Sequence, residues 1–424
     1  MMAKGTVRRA LSTACVATAL LASQAGPPAA ATVRSANPST AIPGGSWPGS
    51  AGALARDKWS SISQSPLAAR SGQATVWTGS QLLVWGGSGD LPANAVMLPD
   101  FSDGAAYDPA TGSWSAMPKG PLAPCAGPVA AWDGQEAIFW CGANAEGATY
   151  DPATGTWREL APSPLAASGY SDVIWTGGEA IVVAGAQAEA YQPAGGRWQR
   201  LPPFPSFTMQ AHSEVNGSLN VALTGMTAVW DGTDLLAWAT YTVISHRSSG
   251  PTGIQLLDQA LAWSPGAKAW HALPIVWGHE PLLGATAAWS GEEAFFIGGT
   301  SCPPEVPCPY DPYTPVASYT PATGSWGSPP LSRFLEGRGP VVWTGKSLLA
   351  IAGASTLGPP GFAVAAGDAG AFQPGLRSWQ ELAPYPFGTL EGASAAWTGT
   401  SLIVWGSSGE GAAHGAVLAP RAAG

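Results

Sequence analysis

The chain reads as an all-β protein, a seven-bladed β-propeller of four-stranded antiparallel blades closed by an N-terminal outer strand around Trp59. Three observations predict it. A segment running from an aromatic residue to a Trp seven positions later occurs six times. A Trp-x-Gly turn between two short apolar runs occurs seven times. The piece missing from the last repeat stands at the front of the chain. Internal repetition outranks other architectural signals, because each unit leaves an apolar face that only a neighbouring unit can cover.

Residues 1–31 come first and differ in character from the rest. Lys4, Arg8 and Arg9 precede the apolar run Ala10 to Leu21, small residues follow, and no acidic residue occurs before Asp57. That order is the pattern of an export signal, with cleavage sites after Ala25 or Ala31. The Arg8-Arg9 pair leaves both general and twin-arginine export open. Residues 32–56 are rich in Pro, Gly and Ser without periodicity and read as a disordered linker. The propeller is expected over 57–424.

The first hairpin of each unit is centred on Trp77-Thr78-Gly79, Trp132-Asp133-Gly134, Trp175-Thr176-Gly177, Trp230-Asp231-Gly232, Trp289-Ser290-Gly291, Trp343-Thr344-Gly345 and Trp397-Thr398-Gly399. Each turn separates two short apolar runs, the pattern of a β-hairpin. The second hairpin is YDPATGSW at Tyr107 to Trp114. It is rewritten at Tyr150–Trp157, Tyr191–Trp198, Trp263–Trp270, Tyr319–Trp326 and Phe372–Trp379. Its Pro presets φ and its Gly takes the left-handed position of the turn. Two hairpins per unit make four strands, a propeller blade.

Seven first hairpins meet only six second hairpins. The last unit stops after a third strand near Ala416 to Pro420, whereas Lys58-Trp59-Ser60 mirrors the residues around Trp157. The N-terminal segment therefore supplies the outer strand of the seventh blade, and the swap leaves no open seam.

These residues resemble kelch repeats, in which a Gly-Gly ends the second strand and a Tyr and a Trp follow at fixed separation. Gly86-Gly87, Tyr107 and Trp114 match, as do Gly298-Gly299, Tyr319 and Trp326, and Arg70-Ser71-Gly72 is similar to the segment opening many kelch strands. Other units carry Cys141-Gly142, Ala184-Gly185, Ala239-Thr240 and Ala352-Gly353 at that place. The resemblance implies a secreted bacterial kelch protein similar to the central domain of galactose oxidase. It covers about 57–424 and speaks to fold, since one propeller scaffold hosts enzymes and binding modules alike.

Composition narrows the function. Only 11% of residues are charged and the formal net charge is -9, with no basic stripe, so no nucleic-acid partner is expected. Past Leu21 no apolar run is long enough to span a membrane. The mature protein is expected to be secreted and monomeric. Beyond Cys15 there are four cysteines. Cys302 and Cys308 bracket a proline-stiffened loop, Cys125 and Cys141 lie nearly equidistant from the turn at Asp133-Gly134 and in a hairpin would face each other across neighbouring strands, and an oxidising compartment favours bridging both pairs. Neither pair has the spacing of a metal site.

Of 21 Trp, nineteen are absorbed by the repeat, leaving Trp47 in the linker and Trp277 in a loop. The hairpin turns share one face of a propeller, and the variable connections share the other, where binding usually resides. The connections Ser88 to Asp103, Leu201 to Thr224, Thr240 to Gln259, Thr300 to Pro315 and Ala354 to Asp368 are long. The candidate ligand-binding residues are Arg70, Arg338 and Glu391 at the starts of innermost strands, with Trp277, His279 and Glu280 in IVWGHEP.

No catalytic residue, metal site or cofactor is assigned. The copper site that the resemblance brings to mind needs two Tyr, two His and a Cys joined to one Tyr. Here the cysteines are paired, and the five His, at 212, 246, 271, 279 and 414, are scattered through loops. The expected function is binding of an unknown protein, glycan or cell-envelope ligand. The alternative is a carbohydrate-active enzyme of galactose-oxidase-like or sialic-acid-epimerase-like type, with its site at the channel mouth. Two bridges predict a mature chain about 4 Da lighter than its reduced form by mass spectrometry; a loss of about 2 Da would leave one pair open.

Overall fold

A computed structural model describes residues 58–89, 99–205, 217–247, 253–274, 282, 284–298, 316–330, 339–351, 367–388, 391–407 and 413–419, with backbone alone at 217–220, 245–247, 253–255 and 391. The expected signal and linker lie outside these residues.

Seven four-stranded antiparallel sheets form the molecule. Blade 1 comprises Ala74–Trp77, Leu82–Trp85, Gly104–Asp108 and Ser113–Ala116, from the axis outwards. Blades 2 and 3 begin at Val129–Trp132 and Ser171–Trp175, blades 4 and 5 at Gly217–Trp230 and Thr286–Trp289, and blade 6 at Val341–Trp343. Blade 7 comprises Glu391–Trp397, Leu402–Ser407, Ala413–Ala419 and, as outer strand, Lys58–Ser61. Each innermost strand neighbours the next around the axis, and that of blade 7 returns to that of blade 1.

In blades 1, 2 and 3 every residue of the second strand is buried, because each sheet lies between two others. The outer strands of blades 1, 2 and 3 repeat one pattern, with only the Trp position shielded. Strands of alternating character at the rim and uninterrupted apolar character inside are what a stack of wedges requires.

The turns explain residues that periodicity alone leaves unexplained. In Trp-x-Gly the Gly is left-handed in all seven copies, with φ between 91° and 105°. The middle residue is Thr, Asp or Ser because its side-chain oxygen closes the turn. Asp133 Oδ1 accepts the N–H groups of Gln135 and Glu136 at 2.7 and 2.6 Å, and Thr398 Oγ1 accepts that of Ser401 at 2.9 Å. Gly87 is required for a different reason. A Cβ there would come within 2.7 Å of the Ser71 carbonyl oxygen and 2.9 Å of the Gln73 nitrogen.

The blades are stapled by tryptophan. Six of the seven outer-strand tryptophans reach the chain just beyond the preceding blade's outer strand and donate the indole N–H to a carbonyl there. Trp114 donates to Ser63 at 3.0 Å, Trp157 to Pro118 at 2.9 Å, Trp198 to Ala161 at 2.8 Å, Trp326 to Pro274 at 2.9 Å and Trp379 to Pro330 at 2.9 Å. Trp59 continues the series at the closure, donating to Ala383 at 2.8 Å. Blade 4 departs from it, and Trp270 instead meets Phe204 edge-on at 4.7 Å. Second-strand tryptophans complete the joints: Trp85 packs on Trp157, Trp140 on Trp198, Trp238 on Trp326 and Trp405 on Trp114, with centroids 5.4–6.2 Å apart.

Closure is as expected. Lys58–Ser61 pairs with Ala419 to Ala416, placing Trp59 opposite Leu418 and edge-on to Tyr385 at 5.2 Å.

Two expectations change. The connection expected over Leu201 to Thr224 is strand from Gly217 onward, and the one expected over Thr240 to Gln259 is strand at 240–247 and 253–259. In blade 4, Gly217–Trp230, Leu235–Arg247 and Gly253–Ser264 run 14, 13 and 12 residues. The corresponding strands of the other blades have three to seven. A register irregularity between Leu223 and Gly225 marks where the ring ends and the extra sheet begins. The segment LNVAL carries no charge or Pro to announce a strand boundary, so its β-branched and apolar residues simply continue the ladder. Second, Cys125 and Cys141 are bonded, but not across paired strands. Cys125 precedes the innermost strand of blade 2, and Cys141 ends the second strand, Ala137–Cys141. Cys302 and Cys308 lie outside the described residues.

Trp59→Ala is expected to lower stability by about 3 kcal/mol, as for other large core truncations, and deletion of residues 53–62 to abolish a cooperative unfolding transition in calorimetry. A deletion that melts like the full chain would contradict the closure. Replacing both Cys125 and Cys141 by Ser is expected to cost about 3 kcal/mol in denaturant unfolding through loop-closure entropy.

Candidate functional site

The candidate site is the face opposite the hairpin turns, together with the mouth of the axial channel. Innermost strands run from this face towards the Trp-x-Gly turns, so their first residues ring the mouth. The extra length of blade 4 emerges on the same face, since Trp230 pairs with Leu235 at the turn end while Gly217 pairs with Arg247 at the other. A three-stranded sheet therefore stands above the ring at blade 4. Val221 on its first strand is 44% exposed, and Tyr241, Val243 and Leu256 on the two neighbouring strands are buried.

Arg70 is placed at the mouth but turned inward. It is 0% exposed, and its guanidinium donates to Asp103 Oδ1 at 2.8 Å, to Asp103 Oδ2 at 3.3 Å and to the carbonyl oxygens of Gly86 and Ala68 at 3.2 and 3.0 Å. Phe101 lies 4.0 Å beneath the guanidinium carbon. The fork thereby ties the connection after the second strand of blade 1 to the start of its innermost strand. Its partner Asp103 has a side chain 58% exposed. The bidentate geometry suits Arg and not Lys. Phe101 also accepts the N–H of Cys125 through its carbonyl at 3.0 Å, which joins this clamp to the disulfide.

Glu391 opens the innermost strand of blade 7, opposite Ser407 and beside a register irregularity. Trp277, His279, Glu280 and Arg338 lie outside the described residues. The end of the loop carrying the first three is nonetheless anchored. Asp258, on the third strand of blade 4, accepts the Leu282 N–H through Oδ2 at 2.8 Å. Loss of water dominates at this carboxylate, and burial raises its pKa above the ordinary aspartate value against the opposing effect of the Leu282 N–H. Asp258 fell inside a stretch that the sequence presents as loop, which is why it escapes a reading by residue type.

The channel was missed for the opposite reason. Gln73, Asp172, Thr227 and Thr286 line a cavity of about 30 Å³ bounded by the innermost strands of blades 1 to 5. A signal for one of them exists. Asp172 is a charge set in SDVIW, where the corresponding positions of other repeats carry the uncharged Ala74, Val129 and Thr286. Among the described residues no three His, Cys, Asp or Glu side chains gather as metal ligands, and no helix is long and apolar enough to cross a membrane.

No protein-family profile matches this chain, and no curated protein matches it. Among solved structures it is similar to a novel fungal alcohol oxidase of the AA5 family, determined in complex with copper. The identity is 14% and the TM-score 0.56, over 86% of this chain and 76% of that one. At that identity the likeness is one of fold.

Asp258→Asn is expected to flatten part of the pH dependence of stability. Because the folded-state pKa is raised, the carboxyl's contribution is complete below the ordinary value of 3.8 and declines as pH rises through the folded value. Chemical denaturation from pH 3 upward, about one unit per step, should therefore show the wild type losing stability relative to Asp258→Asn. Parallel curves would mean that the carboxylate is effectively solvated.

Proposed function

We propose that the protein is a secreted binding scaffold that engages a protein, glycan or cell-envelope ligand through its loop-rich face, with the raised sheet of blade 4 as the main platform. The observation that carries this reading is the surplus length of three strands in a single blade. Ring closure needs only the part nearest the turn, and the remainder is ordered backbone that projects beyond the length of the other blades. A rigid sheet edge with exposed Val221 offers preorganised contact area, which favours binding because little freedom is lost on association. The Cys125–Cys141 bridge accords with an oxidising compartment. The charge pattern supports neither a nucleic-acid partner nor a membrane surface. Within this reading the repeats are of kelch type, the propeller spans 57–424 after a signal at 1–31 and a linker at 32–56, and Trp277, His279, Glu280, Arg338 and Glu391 surround the ligand. Arg70 acts by holding the mouth rather than by touching the ligand.

A second reading has one observation in its favour, the likeness to a copper-containing alcohol oxidase. It would place oxidation of a carbohydrate or other alcohol at the channel mouth. The described residues do not fit a copper site. Cys125 and Cys141 are bonded to each other and so offer no thiol for linkage to a tyrosine, and no three potential ligands converge. No catalytic step is derived through copper.

One experiment separates the two. Purified protein, with and without added copper, is assayed for alcohol oxidation and, in parallel, for capture of glycans and envelope extract. The scaffold reading expects capture without turnover, and Val221→Asp is expected to weaken capture at least about tenfold, a loss of about 1.4 kcal/mol, with unchanged unfolding. Copper-dependent turnover with no capture would reverse the choice.

A further inference from the structure

The loop-rich face is stepped where blade 3 meets blade 4. In blade 3 the second strand, Ala180–Ala184, turns into the third, Gln187–Gln192, through Gly185 and Ala186 alone, and Ala184 pairs with Gln187 at the top of the sheet. In blade 4 the second strand runs on to Arg247 and the third begins at Gly253. The side of blade 4 turned to blade 3 packs Met226, Ala239 and Tyr241 with Val183 and Ala188, and Leu223 joins the same cluster. Alternate residues of a strand share a face, so two positions further from the turn that side carries Val221. The top of blade 3 is thus a floor, and the raised sheet of blade 4 is the wall beside it.

Among the described residues the exposed large hydrophobic side chains are Tyr170, Val221 and Leu376, and the first two belong to this step. Leu376 sits on the opposite face, in the turn after the third strand of blade 6. Tyr170 is the one exposed aromatic among the described residues, in a chain that shelters its other described rings. It stands directly before Ser171–Trp175, which neighbours Gly217–Trp230, the strand that carries Val221. Its backbone is held firmly. Ser168 Oγ accepts the Tyr170 N–H at 3.2 Å and donates to the Tyr170 carbonyl at 3.0 Å, and the Gly185 N–H donates to that carbonyl at 3.0 Å. The Ser168 N–H in turn reaches the Gly142 carbonyl of blade 2 at 2.8 Å. The floor segments 142–145, 161–170 and 185–187 contain no Asp, Glu, Lys, Arg or His. Gln187 is exposed and accepts the Ala166 N–H through Oε1 at 3.3 Å, so its amide nitrogen is the end available as a donor.

We propose that this step binds a neutral sugar ring of a glycan, with Tyr170 as the stacking platform, Val221 as the apolar wall and the Gln187 amide as a hydrogen-bond donor. The inference rests on the scaffold reading and gives it a ligand class. A pyranose presents a flat face of C–H groups edged by hydroxyls, so it takes one aromatic face and a few neutral polar groups, the usual mixture of a small-molecule site. Tyrosine suits the task because its body is apolar and its hydroxyl can meet that of a sugar. An acidic glycan would find no cation in the three floor segments to pair with its carboxylates. Peptides draw affinity from side chains seated in pockets, whereas a two-residue turn beside a single ring makes a shelf. The fixed loop keeps the ordering cost of binding low.

The test is isothermal titration calorimetry of the full chain with neutral oligosaccharides of glucose, mannose and N-acetylglucosamine, alongside a galacturonate oligosaccharide and an uncharged Ala/Pro-rich peptide. At least one neutral oligosaccharide is expected to bind. Tyr170→Ala should weaken that binding at least about tenfold, whereas Tyr170→Phe, which keeps the ring, should stay within about threefold of wild type. Gln187→Ala is expected to weaken it severalfold, and all three variants should unfold at the wild-type temperature. No binding of a neutral oligosaccharide, binding indifferent to Tyr170→Ala, or tyrosine-dependent binding of the galacturonate or the peptide in its place overturns the proposal. Capture of envelope extract that Val221→Asp weakens and Tyr170→Ala leaves intact overturns the sugar site while the scaffold reading stands. Absence of any capture ends both.

Discussion

A propeller stands or falls on its seams, and here the seam is an indole N–H reaching one blade backwards. A wedge-shaped sheet has two apolar faces, and dispersion between flat apolar faces does not by itself prevent sliding. The tryptophan joint does. The ring packs on its own third-strand aromatic, at 5.1 Å for Tyr107 and Trp114, while its one polar atom meets a carbonyl of the neighbour. That carbonyl belongs to the chain just leaving an outer strand, where no ladder partner is available to it. One residue thus satisfies an orphan acceptor and sets the relative height of two blades.

The same joint holds the outer strand that Lys58–Ser61 supplies to blade 7. With Trp59 donating to Ala383 and its strand paired to Ala416–Ala419, blade 7 is held on one side by residues hundreds of positions away. The last seam is therefore made of the same chemistry as the others. Closure also leaves the loop-rich face free to vary. Among the described residues blade 4 shows that freedom, and it is also the blade whose outer Trp270 lacks the backward hydrogen bond and leans on Phe204 instead.

Fixed rim and fixed axis leave function to the parts that neither constrains. Arg70 shows how that division misleads a reading by residue type. An arginine at the start of an innermost strand looks available for a ligand, yet Asp103, Phe101 and three carbonyl oxygens enclose it. Asp258 shows the converse, a carboxylate without any motif that becomes consequential because a neighbouring blade dries it and aims a backbone N–H at it.

What the amino-acid order determined by itself was the repeat and everything that follows from it: seven blades, four strands in each, turns built on Gly, and closure through Trp59. These are local signals repeated many times, and repetition averages out the ambiguity of any single short strand. The raised sheet of blade 4 was decided by the tertiary structure alone, because an apolar, uncharged connection such as LNVAL has no local mark separating loop from strand until a partner strand lies beside it. The channel was likewise invisible beforehand. Gln73, Asp172, Thr227 and Thr286 belong to four different repeats, and only the curvature of the closed ring brings residues so far apart in the chain around one small volume.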